Sequence, residues 1–147
     1  MEPESTAYVI HGGIRLQGKL NVEALERSLN EIYRRHEALR TVFKETDGYP
    51  QQVILSATAI KLPIVDLQEM LENEQEAEVR RRMLEEVRRP FDLEKGPLIR
   101  VKLVRLEKMR HLFFLAMHHI ISDGWSQGVF LKELGVLYRA FCAEQPS

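Results

Sequence analysis

The densest run of reactive side chains in this sequence is His118-His119-Ile120-Ile121-Ser122-Asp123-Gly124. It follows an almost wholly apolar stretch, 112–117, and precedes one with helical periodicity. It therefore reads as a corner between a buried strand and a helix, a place where functional groups concentrate. A histidine at such a corner can accept a proton or orient a nucleophile. Gly124 permits a tight turn. The free amides that open the next helix favour negative charge, including that of a developing oxyanion. Adjacent strand residues point to opposite faces. If strand geometry runs through both histidines, one faces a cleft and the other enters the packing and needs a hydrogen-bond partner there. The same opposition argues against zinc on His118, His119 and Asp123, since no cysteine or further histidine lies close in sequence. Taken alone, a His-His pair is weak evidence for catalysis. Trp125 and Phe130 read as core or rim residues, and Cys142 has no recognisable activating partner.

The elements around this corner follow from residue spacing. A strand is predicted over 8–16, with Gly12-Gly13 marking a bulge or a close backbone approach. Asn21 suits the N-cap of a first helix whose apolar stripe is Val22, Leu25, Leu29, Ile32 and Tyr33. Arg34, Arg35 and His36 close it, where basic groups suit the negative end of the helix dipole. Strands at 41–43 and 52–55 flank an Asp47-Gly48 hairpin turn, and 59–65 reads as extended. Asp66-Leu67-Gln68-Glu69 resembles a capping box, which predicts a helix to about Arg88 with Met70, Leu71, Met83, Leu84 and Val87 inward. Pro90 stops it. Interspersed glutamates make Arg80-Arg81-Arg82 a solvated helix face rather than an anion site. Alternation over 98–106 predicts a half-exposed strand, and 112–117 a central strand buried on both faces. A last helix carries Val129, Phe130, Leu134, Leu137 and Phe141 on one face. The expected fold class is α+β, about three helices on a mixed or antiparallel sheet.

Composition narrows the function. The chain has 147 residues and a formal net charge of −1, so no global field draws it to nucleic acid or an anionic membrane. No apolar run approaches the ~20 residues of a membrane span, and the first residues lack signal-peptide character. A single cysteine cannot staple the fold, which fits a reducing cytoplasm.

Three separated segments, in order, carry a family resemblance. His118-His119-x-x-x-Asp123-Gly124 resembles the active-site signature of nonribosomal peptide synthetase condensation domains. Arg35-His36-Glu37-Ala38-Leu39-Arg40-Thr41-Val42-Phe43 is similar to a second segment of that family. Arg89-Pro90-Phe91-Asp92-Leu93-Glu94-Lys95-Gly96-Pro97-Leu98-Ile99-Arg100 resembles its run before the central strands. Residues 18–25 fit its first helix, so the resemblance spans essentially the whole chain.

The resemblance implies a chloramphenicol acetyltransferase-like lobe, one of two that form a V around a tunnel. It implies donor and acceptor peptidyl carrier proteins as partners, bringing acyl and aminoacyl groups on phosphopantetheine arms, with no cofactor or metal bound directly. His119 becomes the catalytic residue, either taking a proton from the amine or orienting it. His118, Asp123, Gly124, Arg40 and Arg35 become structural residues of the site: Asp123 pairs with an arginine and holds the loop, and Gly124 brings an amide near the reacting carbonyl. Ser122-Asp123-Gly124-Trp125-Ser126 resembles domains joining an L-donor to an L-acceptor. A complete domain is about three times longer. Residues 1–147 are thus expected to be an amino-terminal lobe without the family's Ser-x-x-Gln first segment and without the second lobe. On that expectation the isolated chain is inactive, and its exposed cleft face promotes self-association or poor solubility. Two other functions fit the same fold: a non-catalytic module docking a carrier protein or synthetase segment, and an acyltransferase acting on a hydroxyl.

Overall fold

A computed structural model of the chain describes residues 9–56, 59–118 and 127–144. Among these, four strands form one sheet: β1 (Val9–Gln17), β4 (Ile64–Asp66), β5 (Ile99–Glu107) and β6 (Arg110–His118), in the order β1-β6-β5-β4. β6 pairs antiparallel with β1 and with β5, while β4 runs parallel to β5. The expected mixed sheet is therefore present. A separate hairpin joins β2 (Thr41–Thr46) to β3 (Tyr49–Ile54). Asp47 and Gly48 turn it at φ of 52° and 81°, the left-handed pair that matches strand twist.

Helices cover both faces of the sheet. By strand alternation, Ile99, Val101 and Leu103 of β5 share one face with Phe113, Leu115 and Met117 of β6. There they meet α1 (Val22–Arg35) and α3 (Gln127–Glu144), whose Leu25, Leu29, Ile32, Phe130, Leu134 and Leu137 join the same buried cluster. Burying each such side chain is worth about 1.5–3 kcal/mol. The Asn21 side chain accepts from the Ala24 amide at 3.0 Å, as a cap does. The Asn21 amide donates to the Tyr138 hydroxyl at 2.9 Å and so joins the start of α1 to α3.

The opposite face carries Arg100, Lys102, Phe114, Ala116 and His118, and α2 (Glu72–Arg88) lies on it. A Cβ on Gly13 would come within 3.0 Å of Met83 Cε, so the helix packs onto bare backbone. This is the close approach expected at Gly12-Gly13; the ladder with β6 runs one-to-one, without a bulge.

The structure corrects several expectations. Asp66 ends β4 and its carboxylate accepts from the Gln68 amide at 3.0 Å, an Asx turn rather than a capping box, so α2 begins only at Glu72. Leu71 and Leu84 are exposed; Met83 and Val87 pack against the core as expected, but the inner side of α2 also buries Gln75 and Glu86. The reason is the sheet beneath it, which offers Arg100, Lys102 and open carbonyls. Gln75 Nε2 donates to the Leu67 and Leu106 carbonyls, both at 2.8 Å. Val129 on α3 is exposed. Within 59–65 only the last two residues join a strand. The arginine run behaves as expected: Arg80, Arg81 and Arg82 pair along their own helix with Glu76, Glu78 and Glu85.

Candidate functional site

β6 delivers the motif. Seven of its last eight residues are buried, because it is an inner strand of the sheet, flanked by β1 and β5 and covered on both faces. It ends at His118, which is 1% exposed, and the His118 amide donates to the Leu98 carbonyl at 2.9 Å. The His118 ring meets Phe91 edge to face, with centroids 6.0 Å apart and planes at 82°. His119, Ser122, Asp123, Gly124 and Trp125 lie outside the described residues, and with them the expected zinc-free character of the corner. α3 resumes the chain at Gln127.

Phe91 in turn carries a guanidinium: Arg100 Cζ lies 4.0 Å from its ring centroid. Arg100 also closes the C-terminal end of α2. Its Nη2 donates to the carbonyls of Glu86 (2.6 Å) and Arg89 (2.8 Å), and its Nη1 to that of Pro90 (3.3 Å). Its Nε sits 3.3 Å from the Glu86 carboxylate, an ion-pair contact without hydrogen-bond alignment. Lys102 Nζ holds the other Glu86 oxygen at 2.6 Å. Burial lowers the pKa of Arg100, the Glu86 carboxylate opposes that, and Arg89 adds to it. Arg100 remains charged at any ordinary pH.

A second cluster forms at the C-terminal end of α1. Arg40 donates through Nε to the Tyr33 carbonyl (3.0 Å), through Nη2 to that of Arg34 (3.2 Å) and through Nη1 to that of Leu55 (2.6 Å). Arg35 pairs with Glu31 at 2.9 Å and lies 3.8 Å from Glu133 of α3. His36 Nε2 is 3.0 Å from the same Glu133 carboxylate. The described site residues thus fall into two groups: His118 with Phe91 and Arg100 at the end of β6, and Arg35, His36 and Arg40 at the end of α1. α3, the helix that follows the motif, is tied to the second through Glu133. Between α1, β5 and residues 55–56 and 59–63 lies a cavity of about 620 Å³, with Tyr33, Phe130, Arg100 and Lys102 among its walls.

Sequence reasoning assigned no role at the site to Phe91, Arg100, His36 or Glu133. The first three stand inside the family-like segments, which was the available signal. Their mutual contacts cross up to 97 residues of chain and leave no local trace.

Among the described residues no group of three His, Cys, Asp or Glu side chains is placed to hold a metal. None of the described helices is long and apolar enough to cross a membrane.

Comparison with known proteins fits this architecture. The profile of the condensation domain family matches residues 1–147. A linear gramicidin synthase protein of Brevibacillus parabrevis is 47% identical over 143 residues, which cover 97% of this chain and 3% of that protein. The chondramide synthase cmdD of Chondromyces crocatus is 44% identical over 147 residues, all of this chain and 4% of that protein. The solved first condensation domain of the CDA synthetase superposes with a TM-score of 0.82 at 26% identity, over 97% of this chain and 35% of that one. The chain therefore spans only a few per cent of those synthases and about a third of that solved domain. With a matching profile along its full length and the same fold, the chain belongs to the condensation domain family of nonribosomal peptide synthetases.

Proposed function

We propose that this chain is the amino-terminal lobe of a peptide-bond-forming condensation domain, competent only with a second lobe. The observation that carries the reading is the His118-His119-x-x-x-Asp123-Gly124 sequence, whose first residue ends the buried strand β6 and which precedes α3 in the chain. In this reading the free amine of an aminoacyl group on the acceptor carrier attacks the thioester carbonyl on the donor carrier. The new C–N bond forms, the C–S bond breaks, the donor's phosphopantetheine thiolate leaves, and the amine's proton is lost. His119 holds the amine in line or takes that proton. Asp123 holds the loop, Gly124 offers an amide to the carbonyl oxygen, and Arg35 and Arg40 steady the scaffold.

Alignment of two reactants can lower a barrier by ~7–11 kcal/mol, whereas one general base supplies ~10²–10⁴-fold. A single lobe has no opposite wall to hold the donor, so the larger contribution requires its partner. The test mixes loaded donor and acceptor carriers with this chain, with and without a separately made second lobe, and follows dipeptidyl-carrier mass. Product is expected only with both lobes, falling at least about a hundredfold in His119→Ala. Equal turnover from the lone chain, or from the His119→Ala pair, would overturn the reading. The same samples report whether the lone chain self-associates, the outcome that an apolar face left without its partner lobe would favour.

A further inference from the structure

We propose that Arg100 and Phe91 are positioning residues for the condensation site: they hold the ring of His118 and, through it, fix how β6 delivers His119. This rests on the reading given above. Arg100, Phe91 and His118 form a continuous stack on the α2 side of the sheet, guanidinium over ring at 4.0 Å and ring edge to imidazole at 6.0 Å between centroids. The stack has no slack. Phe91 is 2% exposed and His118 1%, while Arg100 is anchored by three carbonyls at the end of α2 and by its contact with Glu86.

The stack sits one residue from the chemistry. His118 is the last residue of β6, and its backbone is already fixed by the Leu98 carbonyl. The contact of its ring with Phe91 is a second hold on that strand end. Without the stack the end of β6 would have one hold fewer, and misplacing a reacting group by about 1 Å costs on the order of a hundredfold in rate. Arg100 is suited to this task because one planar group can donate to several carbonyls and lie flat on a ring at once. A lysine ammonium is a point charge on a flexible stem, with no plane to lie on the ring while it donates.

The experiment uses this chain labelled with ¹⁵N-histidine, whose five histidines are assigned by single replacement. The variants are Phe91→Leu, which keeps apolar bulk without a ring, Arg100→Met and Arg100→Lys. Lys102→Met serves as a control that takes a different partner from Glu86. Ring ¹⁵N shifts of His118 are expected to move in all three test variants and to stay put in Lys102→Met. Those of His111 should stay put in every variant. Joined with a second lobe, Phe91→Leu and Arg100→Met should lose about ten- to a hundredfold in kcat with KM for the carriers unchanged. Lys102→Met, compared at a temperature where every variant is fully folded, should keep wild-type kcat. The inference is overturned if the His118 signals of folded Phe91→Leu match wild type, or if its kcat falls no further than that of Lys102→Met. Absence of His119-dependent turnover in the wild-type pair would count against the proposed function instead; the ring signals of the lone chain would still decide whether the stack holds His118.

Discussion

The C-terminal ends of α1 and α2 solve one problem with one residue type, by different routes. Each helix leaves carbonyls without intrahelical partners. Each also exits into extended backbone: His36 stands at φ −116°, ψ 100° and Arg89 at φ −71°, ψ 120°. For α2 this follows from Pro90, since a residue before proline is pushed out of the helical region. Extended exits forgo the left-handed glycine closure that satisfies these carbonyls elsewhere. Arginine replaces it at both ends. Arg40 reaches back six and seven residues from the short 3₁₀ turn after α1 and binds carbonyls alone. Arg100 comes from a strand 11 and 14 residues downstream and adds a buried carboxylate and an aromatic ring. The α1 cap is thus local scaffolding, whereas the α2 cap couples a helix end to the residues beside the motif.

Replacing Arg100 by methionine should have the largest effect on stability, about 3 kcal/mol, because it strands three carbonyls and half-releases Glu86 in a buried setting. Urea unfolding of the variant measures it. Adding Glu86→Gln should recover part of the loss if the unpaired carboxylate carries it. Arg40→Met should cost less, about 2 kcal/mol, since only hydrogen bonds to carbonyls are lost. Finding Arg40→Met as costly as Arg100→Met would erase the distinction between the two caps, for it would mean that the carboxylate and the ring add nothing.

A third arginine extends the contrast, with a smaller effect. Arg105 donates through Nε to His111 Nε2 at 3.2 Å and caps nothing. Burial, helped by the Arg105 charge and opposed by Asp66, holds the His111 imidazole below its ordinary pKa of 6.5. Unfolded, His111 takes up its proton as pH falls through that ordinary value; folded, it does so only at lower pH. In that window the unfolded chain binds more protons, so stability falls on acidification and levels off once the folded pKa is passed. Thermal unfolding at pH 7.5 and 5.5 should show a smaller acid loss in His111→Gln than in wild type. Equal losses would remove His111 from the pH response.

Local physics was legible in the chain itself. The stripe of α1, its Asn21 cap, the Asp47-Gly48 hairpin and the doubly buried β6 all rest on contacts or conformations within a few residues, which spacing and residue type report directly. The same holds for the family segments, whose order along the chain was enough to name the fold. Where prediction failed, the cause lay elsewhere in the fold. Leu84 should have faced inward by hydrophobicity, yet α2 turns Glu86 inward to Arg100 and Lys102, and Gln75 to the Leu67 and Leu106 carbonyls. Asp66-Leu67-Gln68-Glu69 has the composition of a helix start, yet β5 recruits 64–66 as a parallel strand. Periodicity, caps, turns and the motif are thus written in neighbouring residues. Which arginine closes which helix, and that Phe91 meets His118, was settled by folding. Those choices depend on groups brought within hydrogen-bond or ring contact from distant parts of the chain, and no local pattern encodes that distance.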